Sequence, residues 1–225
     1  MDRREWLAER RAAVEQNYTL EAPTYDEGYD PATPEHRRFV TRLIDSCPPA
    51  GTVLDAPCGT GPYVGMVLAA GRGVVGADQS AGMLAQAGAK HPGVRFERIG
   101  LQELAFDAVF DAAMCVDAME NVPPEEWPLV LGNLTRAVRP GGHVYLTVEE
   151  IDQGEIAAAF GQTTAAGLPA VYGEVVEGDT AGYHFYADRT RIRGWLADAG
   201  LEVVDEADEW LDGYGYHHLL LRRPV

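Results

Sequence analysis

Two carboxylates and a pair of glycines carry the strongest chemical signal in the chain. Val53-Leu54-Asp55-Ala56-Pro57-Cys58-Gly59-Thr60-Gly61-Pro62-Tyr63 reads as an apolar strand running through a small-residue loop into a helix. Glycines at such a junction let a ligand approach the backbone and leave amide donors at the helix start. A second apolar run, Val74-Val75-Gly76-Ala77, ends in Asp78, nineteen positions after Gly59. A carboxylate at that spacing meets ribose hydroxyls in nucleoside-binding β-α-β units. The two segments together imply a nucleoside cofactor.

The loop narrows the choice of nucleoside. A dinucleotide fingerprint needs a third small residue where Val64 stands, and Pro62 removes an amide that a pyrophosphate could use. The lysine and hydroxyl residue of a phosphate-binding P-loop are missing. Asp55, at the strand end before the glycines, repels phosphate and attracts an ammonium or sulfonium. The loop favours a cationic nucleoside.

These residues need a scaffold, and the rest of the chain supplies its pattern. From Thr52 onward short apolar runs alternate with helical stretches, as in β-α units that build a parallel sheet. Strands are expected at Thr52–Asp55, Gly73–Ala77, Val94–Ile99, Val109–Val116 and His143–Val148. Helices are expected at Tyr63–Ala70, Ala81–Ala89 and Glu125–Val138, with a turn near Leu101–Leu104. The Glu125–Val138 helix has an apolar face of Trp127, Val130, Leu131, Leu134 and Val138, and Pro140-Gly141-Gly142 stops it. Two helices, Arg3–Asn17 and Pro34–Cys47, flank an irregular stretch, Tyr18–Thr33, and make residues 1–50 an N-terminal cap. Residues 151–188 interrupt the rhythm with a helix, Glu155–Ala166, and a hairpin of Val171–Val176 and Tyr183–Tyr186 turning at Glu177-Gly178-Asp179. After the helix Arg189–Ala199, strands Glu202–Glu206 and Tyr214–Leu221 close the chain. The expectation is one α/β domain, residues 1–225: a seven-stranded, mostly parallel, Rossmann-like sheet with helices on both faces and the last strand antiparallel.

Composition excludes several partners. The 225 residues hold 18 Lys and Arg against 35 Asp and Glu, a net charge of −17, so nucleic acid and anionic membranes would be met by repulsion. Three cysteines, Cys47, Cys58 and Cys115, form neither a disulfide framework nor a metal-ligand spacing; no metal is expected, and a reducing cytoplasm is the simplest home. No apolar run is long enough to span a bilayer, and the charged start Met1-Asp2-Arg3-Arg4-Glu5 is unlike a secretory segment.

Asp55-x-Pro57-x-Gly59-x-Gly61 resembles the first motif of the class I S-adenosylmethionine-dependent methyltransferases, with Pro57 in place of the first glycine. The resemblance runs from about Tyr25 to the C-terminus. It implies that Asp55, Ala56, Gly59 and Gly61 form the cofactor loop and that Asp78 accepts both ribose hydroxyls, with Gln79 and Met83 beside the adenosine. Gly100-Leu101-Gln102-Glu103-Leu104 is similar to the family's turn after the third strand. Gln102 stands there for an acid and can accept from the adenine amino group while donating to a ring nitrogen. By the same resemblance Leu101 and Cys115 contact the cofactor, Val138-Arg139-Pro140-Gly141-Gly142-His143 precedes the fifth strand, and Tyr25-Asp26-x-x-Tyr29 closes over the site through Tyr25. The implied activity is methyl transfer from S-adenosylmethionine to a small molecule, releasing S-adenosylhomocysteine.

Methyl transfer from a sulfonium needs in-line approach and exclusion of water, and a base only where the acceptor loses a proton. Acids after the fourth and fifth strands, Asp117, Glu120, Glu149 and Glu150, with Asn121, stand where a substrate would lie. Glu120 is the acid singled out for catalysis, whereas Asp117 and Glu150 read as solvent-facing. Two such acids in the pocket would favour an amine or polar cation as acceptor. His184 is the histidine candidate for a base; on its strand it shares a side with Tyr186 and alternates with Tyr183 and Phe185. His217 and His218 must face opposite sides of theirs. Cys58 and Trp127 read as packing residues, and Asp205-Glu206 and Asp208-Glu209 as a solvated turn before Trp210. Two rival readings stand beside methyl transfer: a nicotinamide-dependent reductase, against which Val64, Pro62 and the lack of a Tyr-x-x-x-Lys pair argue, and a non-catalytic cofactor-binding subunit.

Overall fold

A computed structural model of the chain describes residues 2–27, 33–177 and 182–225. The strands are β1 (Thr52–Asp55), β2 (Gly73–Asp78), β3 (Arg95–Arg98), β4 (Phe110–Cys115), β5 (Val138–Glu150), β6 (Glu174–Glu177), β7 (Gly182–Phe185), β8 (Glu202–Trp210) and β9 (Gly215–Arg222). The helices are α1 (Arg3–Glu21), α2 (Pro34–Ser46), α3 (Val64–Ala69), α4 (Ala81–Lys90), α5 (Trp127–Ala137), α6 (Gln153–Ala165) and α7 (Arg189–Asp198). Seven strands form one sheet in the order β3-β2-β1-β4-β5-β9-β8. β9 runs antiparallel to both neighbours, and the other six strands share one direction, in agreement with the sequence reading. The order reverses between β1 and β4, and in open α/β sheets that switch point opens a crevice at the carboxyl ends of the strands.

Strand periodicity explains how helices cover both faces. Leu54, Ala113, Cys115, Val144, Leu146, Leu219 and Leu221 pack on one side with Trp127, Val130, Leu131 and Leu134 of α5 and Ile192 and Leu196 of α7. The alternate residues Val53, Ala112, Met114, Tyr145 and Leu220 pack on the other side with Phe39, Val40, Leu43 and Ile44 of α2 and Val64 and Val67 of α3. Burying each such Leu or Val contributes about 1.5–3 kcal/mol, and truncating a fully buried one such as Leu131 to alanine costs about 2–5 kcal/mol.

Four boundaries differ from the sequence reading by more than two residues. α1 continues beyond Asn17 to Glu21 because its last turns pack on α4: a Cβ on Gly82 would lie 2.5 Å from the Thr19 carbonyl oxygen. β5 starts at Val138, so Arg139–Gly142 is irregular strand as well as helix stop. Gly142 is needed there because a Cβ would meet the Asp111 carbonyl oxygen at 2.5 Å. The predicted solvated turn at Asp205–Glu209 is instead the second half of β8, paired residue by residue with β9; the pairing turns alternate acids inward, and the charge run concealed it. The strand predicted at Val171–Val176 is confined to Glu174–Glu177.

The predicted helix and hairpin within 151–188 correspond to α6 and the separate β6–β7 pair. Tyr183 and Phe185 point into the core, so His184 and Tyr186 form the outer pair. Arg3 of α1 holds this hairpin through a two-point contact with the fully buried Glu174 carboxylate, 2.7 and 3.0 Å, which also accepts from Tyr183 Oη at 2.6 Å. Among the described residues no helix is long and apolar enough to cross a membrane. Tyr29, Gly178 and Asp179 lie outside the described residues.

Candidate active site

The crevice at the switch point holds a cavity of about 1040 Å³, part of it open to solvent, bounded by the loops after β1, β2, β3 and β4 and by α1. The β1 loop turns sharply: Gly59 and Gly61 have φ of +49° and +78°, left-handed values that favour glycine. The same turn passes through a cis Ala56–Pro57 peptide, the form taken by the segment where Pro57 replaces a glycine.

Asp78 ends β2 in the cavity wall. Its carboxylate accepts from the Gly59 amide at 2.9 Å and from the Ser80 amide at 2.8 Å, one oxygen each. Ser80 caps α4 by accepting from Met83 N at 3.2 Å, which brings that helix start against the acid. Burial raises the Asp78 pKa above the usual carboxylate range, and the Ser80, Gly59 and Gln79 amides pull against it. Gln79, Met83, Ile99, Leu101 and Gln102 continue the wall. One N–H of Gln102 is already donated to Glu126 Oε2 at 2.8 Å, so its other N–H and its oxygen are what remain for a ligand. Tyr25 lines the outer wall and packs edge-on to Tyr18 at 6.1 Å. Its neighbour Asp26 is tied to the β1 loop by Thr60 Oγ1 at 2.7 Å and to Lys90 Nζ at 2.7 Å.

Of the predicted cofactor residues, Tyr25, Gly59, Asp78, Gln79, Met83, Leu101 and Gln102 therefore line one cavity. Asp55, Ala56, Gly61 and Cys115 do not contribute to its wall. Asp55 is buried at the end of β1 with Oδ2 unpartnered among the described residues, and burial, then the charge of Asp78, hold its pKa well above the usual range.

Neither predicted catalytic residue lines the cavity. His184 sits on the outer side of β7, and Glu120 is buried behind Asn121, whose amide donates to Glu120 Oε1 at 2.9 Å. Burial, with Glu149 and Asp117 nearby, pushes Glu120 well above the usual carboxylate range, and Glu149 is raised to about 7 by burial and Asp117. Of the acids after β4 and β5 it is Asp117 that lines the wall, contrary to its reading as solvent-facing. It has a φ of +49° just past β4, its backbone N–H donates to Thr147 Oγ1 at 2.8 Å, and its Oδ1 lies 3.1 Å from His36 Nε2 and 3.3 Å from Thr147 Oγ1. Glu150 pairs with Arg189 at the surface, as expected.

Asn121, expected to face the substrate, does line the wall, whereas sequence reasoning missed Tyr18 and Tyr63 in the wall and His36 behind it. Tyr63 directly follows the glycine loop and was within reach of the motif. His36 stacks on Tyr63 and is wholly buried on the inner face of α2, a position for which its sequence neighbourhood gives no signal.

Residues 53–142 match the family described as "Methyltransferase domain". Over that segment the chain is similar to methyltransferases. It is 34% identical over 113 residues to the malonyl-(acyl-carrier protein) O-methyltransferase of Pectobacterium atrosepticum, a match that covers 48% of this chain and 43% of that protein. The chain thus spans less than half the length of that relative. It is 28% identical over 197 residues to the demethylmenaquinone methyltransferase of Renibacterium salmoninarum, 81% of each chain. In fold it is similar to 1,6-didemethyltoxoflavin-N1-methyltransferase of Burkholderia thailandensis, solved with 1,6-didemethyltoxoflavin and S-adenosylhomocysteine, with a TM-score of 0.71, 18% identity and coverage of 100% of this chain and 92% of that one. These relatives lend no support to the reductase or partner-subunit readings.

Proposed function

We propose that the chain transfers a methyl group from S-adenosylmethionine to a small-molecule acceptor and releases S-adenosylhomocysteine. The observation that carries this reading is the Asp78 carboxylate, pinned by two backbone amides in the wall of a cavity whose neighbouring surface is Met83, Ile99, Leu101 and Gln102. A fixed acceptor for hydroxyls beside an apolar wall that also carries the amides of Gln79 and Gln102 fits a nucleoside. When bound, S-adenosylmethionine supplies the electrophilic methyl on a sulfonium. Asp78 accepts the ribose hydroxyls through the lone pairs its two amide contacts leave, Gly59 permits close approach, and the apolar side chains exclude water from the base.

Asp117 is the carboxylate on the acceptor's side. His36 and Thr147 fix its Oδ1, so an acceptor that loses a proton gives it to Asp117. An amine or polar cation as acceptor now rests on this one acid, since Glu120 and Glu149 stand behind it. α6 and the β6–β7 hairpin act as a lid, a role supported by the Arg3–Glu174 tie to the N-terminal cap. The three cysteines are free and buried, which supports work in a reducing cytoplasm, and the charge of −17 supports a partner other than nucleic acid.

Calorimetry with S-adenosylhomocysteine and with NAD tests the reading. Binding of the first and none of the second is expected. Tight NAD binding with no response to S-adenosylhomocysteine overturns it.

A further inference from the structure

His36, Glu209 and His218 meet outside the cavity wall. One ring nitrogen of each histidine and a Glu209 carboxylate oxygen all lie within 4.8 Å of one another. Glu209 Oε2 is 3.5 Å from His218 Nε2 and 3.9 Å from His36 Nδ1. Both imidazoles are fully buried, and 14% of the Glu209 side chain is exposed. The residues come from α2, β8 and β9, so folding alone assembles them.

Counting protons shows what the cluster lacks. His36 Nε2 faces Asp117 Oδ1 at 3.1 Å, and His36 Nδ1 faces Thr33 Oγ1 at 2.7 Å; the same hydroxyl is 2.6 Å from Glu209 Oε2. A neutral imidazole has a single N–H. Given to Asp117, it leaves one hydroxyl proton to serve both His36 Nδ1 and Glu209. His218 repeats the pattern: Nδ1 faces Tyr145 Oη at 2.8 Å, while Nε2 is buried without a hydrogen-bond partner among the described residues. A cation between the three groups resolves both deficits. It takes the lone pairs of Nδ1, Nε2 and Oε2, and the opposite ring nitrogens donate to Asp117 and Tyr145. Such outer contacts fix the tautomer of a metal-ligating imidazole.

We propose that His36, His218 and Glu209 bind a divalent metal ion of the zinc class, with the Thr33 hydroxyl or a water as fourth ligand. Two imidazoles and one carboxylate suit zinc, whereas calcium and magnesium take oxygen ligands. With bonds near 2.1 Å, tetrahedral ligands stand about 3.4 Å apart. The His218–Glu209 separation already matches, the His36–Glu209 separation must close by about half an ångström, and the separation of the two imidazoles by up to about 1.4 Å. The ion ties α2 to the β8–β9 pair and, through His36, steadies Asp117. This departs from the expectation of no metal, which rested on spacing along the sequence.

The untagged full chain, stripped with a chelator and dialysed, is titrated with cobalt(II) and followed by visible absorption, circular dichroism and melting temperature. One cobalt per chain is expected, with the visible bands of a four-coordinate ion, displacement by zinc and a raised melting temperature. His218→Ala and Glu209→Gln, folded by circular dichroism, are expected to weaken cobalt binding by at least about 100-fold, and Asp117→Asn by about 10-fold. No bands and no zinc uptake by the folded wild-type chain overturn the proposal, leaving a proton to supply the missing positive centre. Cobalt binding that persists unchanged in the folded variants overturns it too. The wild-type titration decides alone if a variant fails to fold.

Discussion

On one side of the cavity the chemistry is held by close neighbours, and on the other by distant ones. Asp78 is fixed by the amide two residues ahead and by the amide nineteen residues behind, both backbone donors. Asp117 leans on His36, 81 residues away, and His36 leads through Thr33 to Glu209, 176 residues from that threonine; every group in that chain is a side chain. Backbone donors stay in place when a residue is substituted, whereas a side-chain relay fails as a unit. The first side is therefore built for binding a constant ligand, and the second makes the fold and the acceptor end depend on one another.

Substitutions should separate the two. His36→Ala is expected to cost about 3 kcal/mol of stability, because it empties a buried volume and removes the imidazole that Asp117 and Thr33 face. Affinity for S-adenosylhomocysteine in the folded fraction should stay within about 3-fold, an energy below 1 kcal/mol. Denaturant melts and calorimetry give the two numbers, and a large loss of affinity with little loss of stability breaks the comparison. Asp78→Ala should do the reverse, weakening S-adenosylhomocysteine by about 100-fold, the equivalent of two charged hydrogen bonds. Unchanged binding refutes the ribose role.

A pH series sharpens the contrast. Glu149 is raised from 4.5 to about 7 by burial and by Asp117, so the folded chain keeps a proton that the unfolded chain has lost between those values. Its contribution to stability is full below about pH 4.5 and falls as pH rises to about 7. Glu149→Gln should remove that fall, gaining roughly 1–2 kcal/mol at pH 8 and little at pH 4, as read from melting curves. At the bottom of the scale, Arg193→Ala, which breaks an exposed pair with Glu206, should move stability by less than about 0.5 kcal/mol in low salt.

The same difference decides what the sequence revealed. Gly59 and Asp78 are readable because they meet within one β-α-β unit, where spacing stands for geometry, whereas Asp55 and Gly61 carry the same motif but lie outside the wall. Strand alternation at Val53–Leu54 and Ala112–Cys115 likewise announces a sheet covered on both faces. Asp117 was misread because acids after a strand are usually solvated, and nothing near it signals a buried histidine from α2. Asp205–Glu209 hid a strand because its partner, β9, had to turn Glu209 inward before the charge run made sense. Glu120 and His184 were chosen for residue type, and their orientation was set by packing that a spacing rule does not encode.

The position of β9 bears on how the molecule is made. It lies inside the sheet, between β5 and β8, and is synthesised after both. Until it arrives, β8 has no partner in the sheet, β5 has an open edge, and the buried face of α2 lacks Leu220 and His218. The Asp78 half can assemble from contacts that close early during synthesis, whereas the acceptor end waits for the final strand. A nascent chain halted before Gly215 should therefore bind nucleoside before it can order the groups around Asp117.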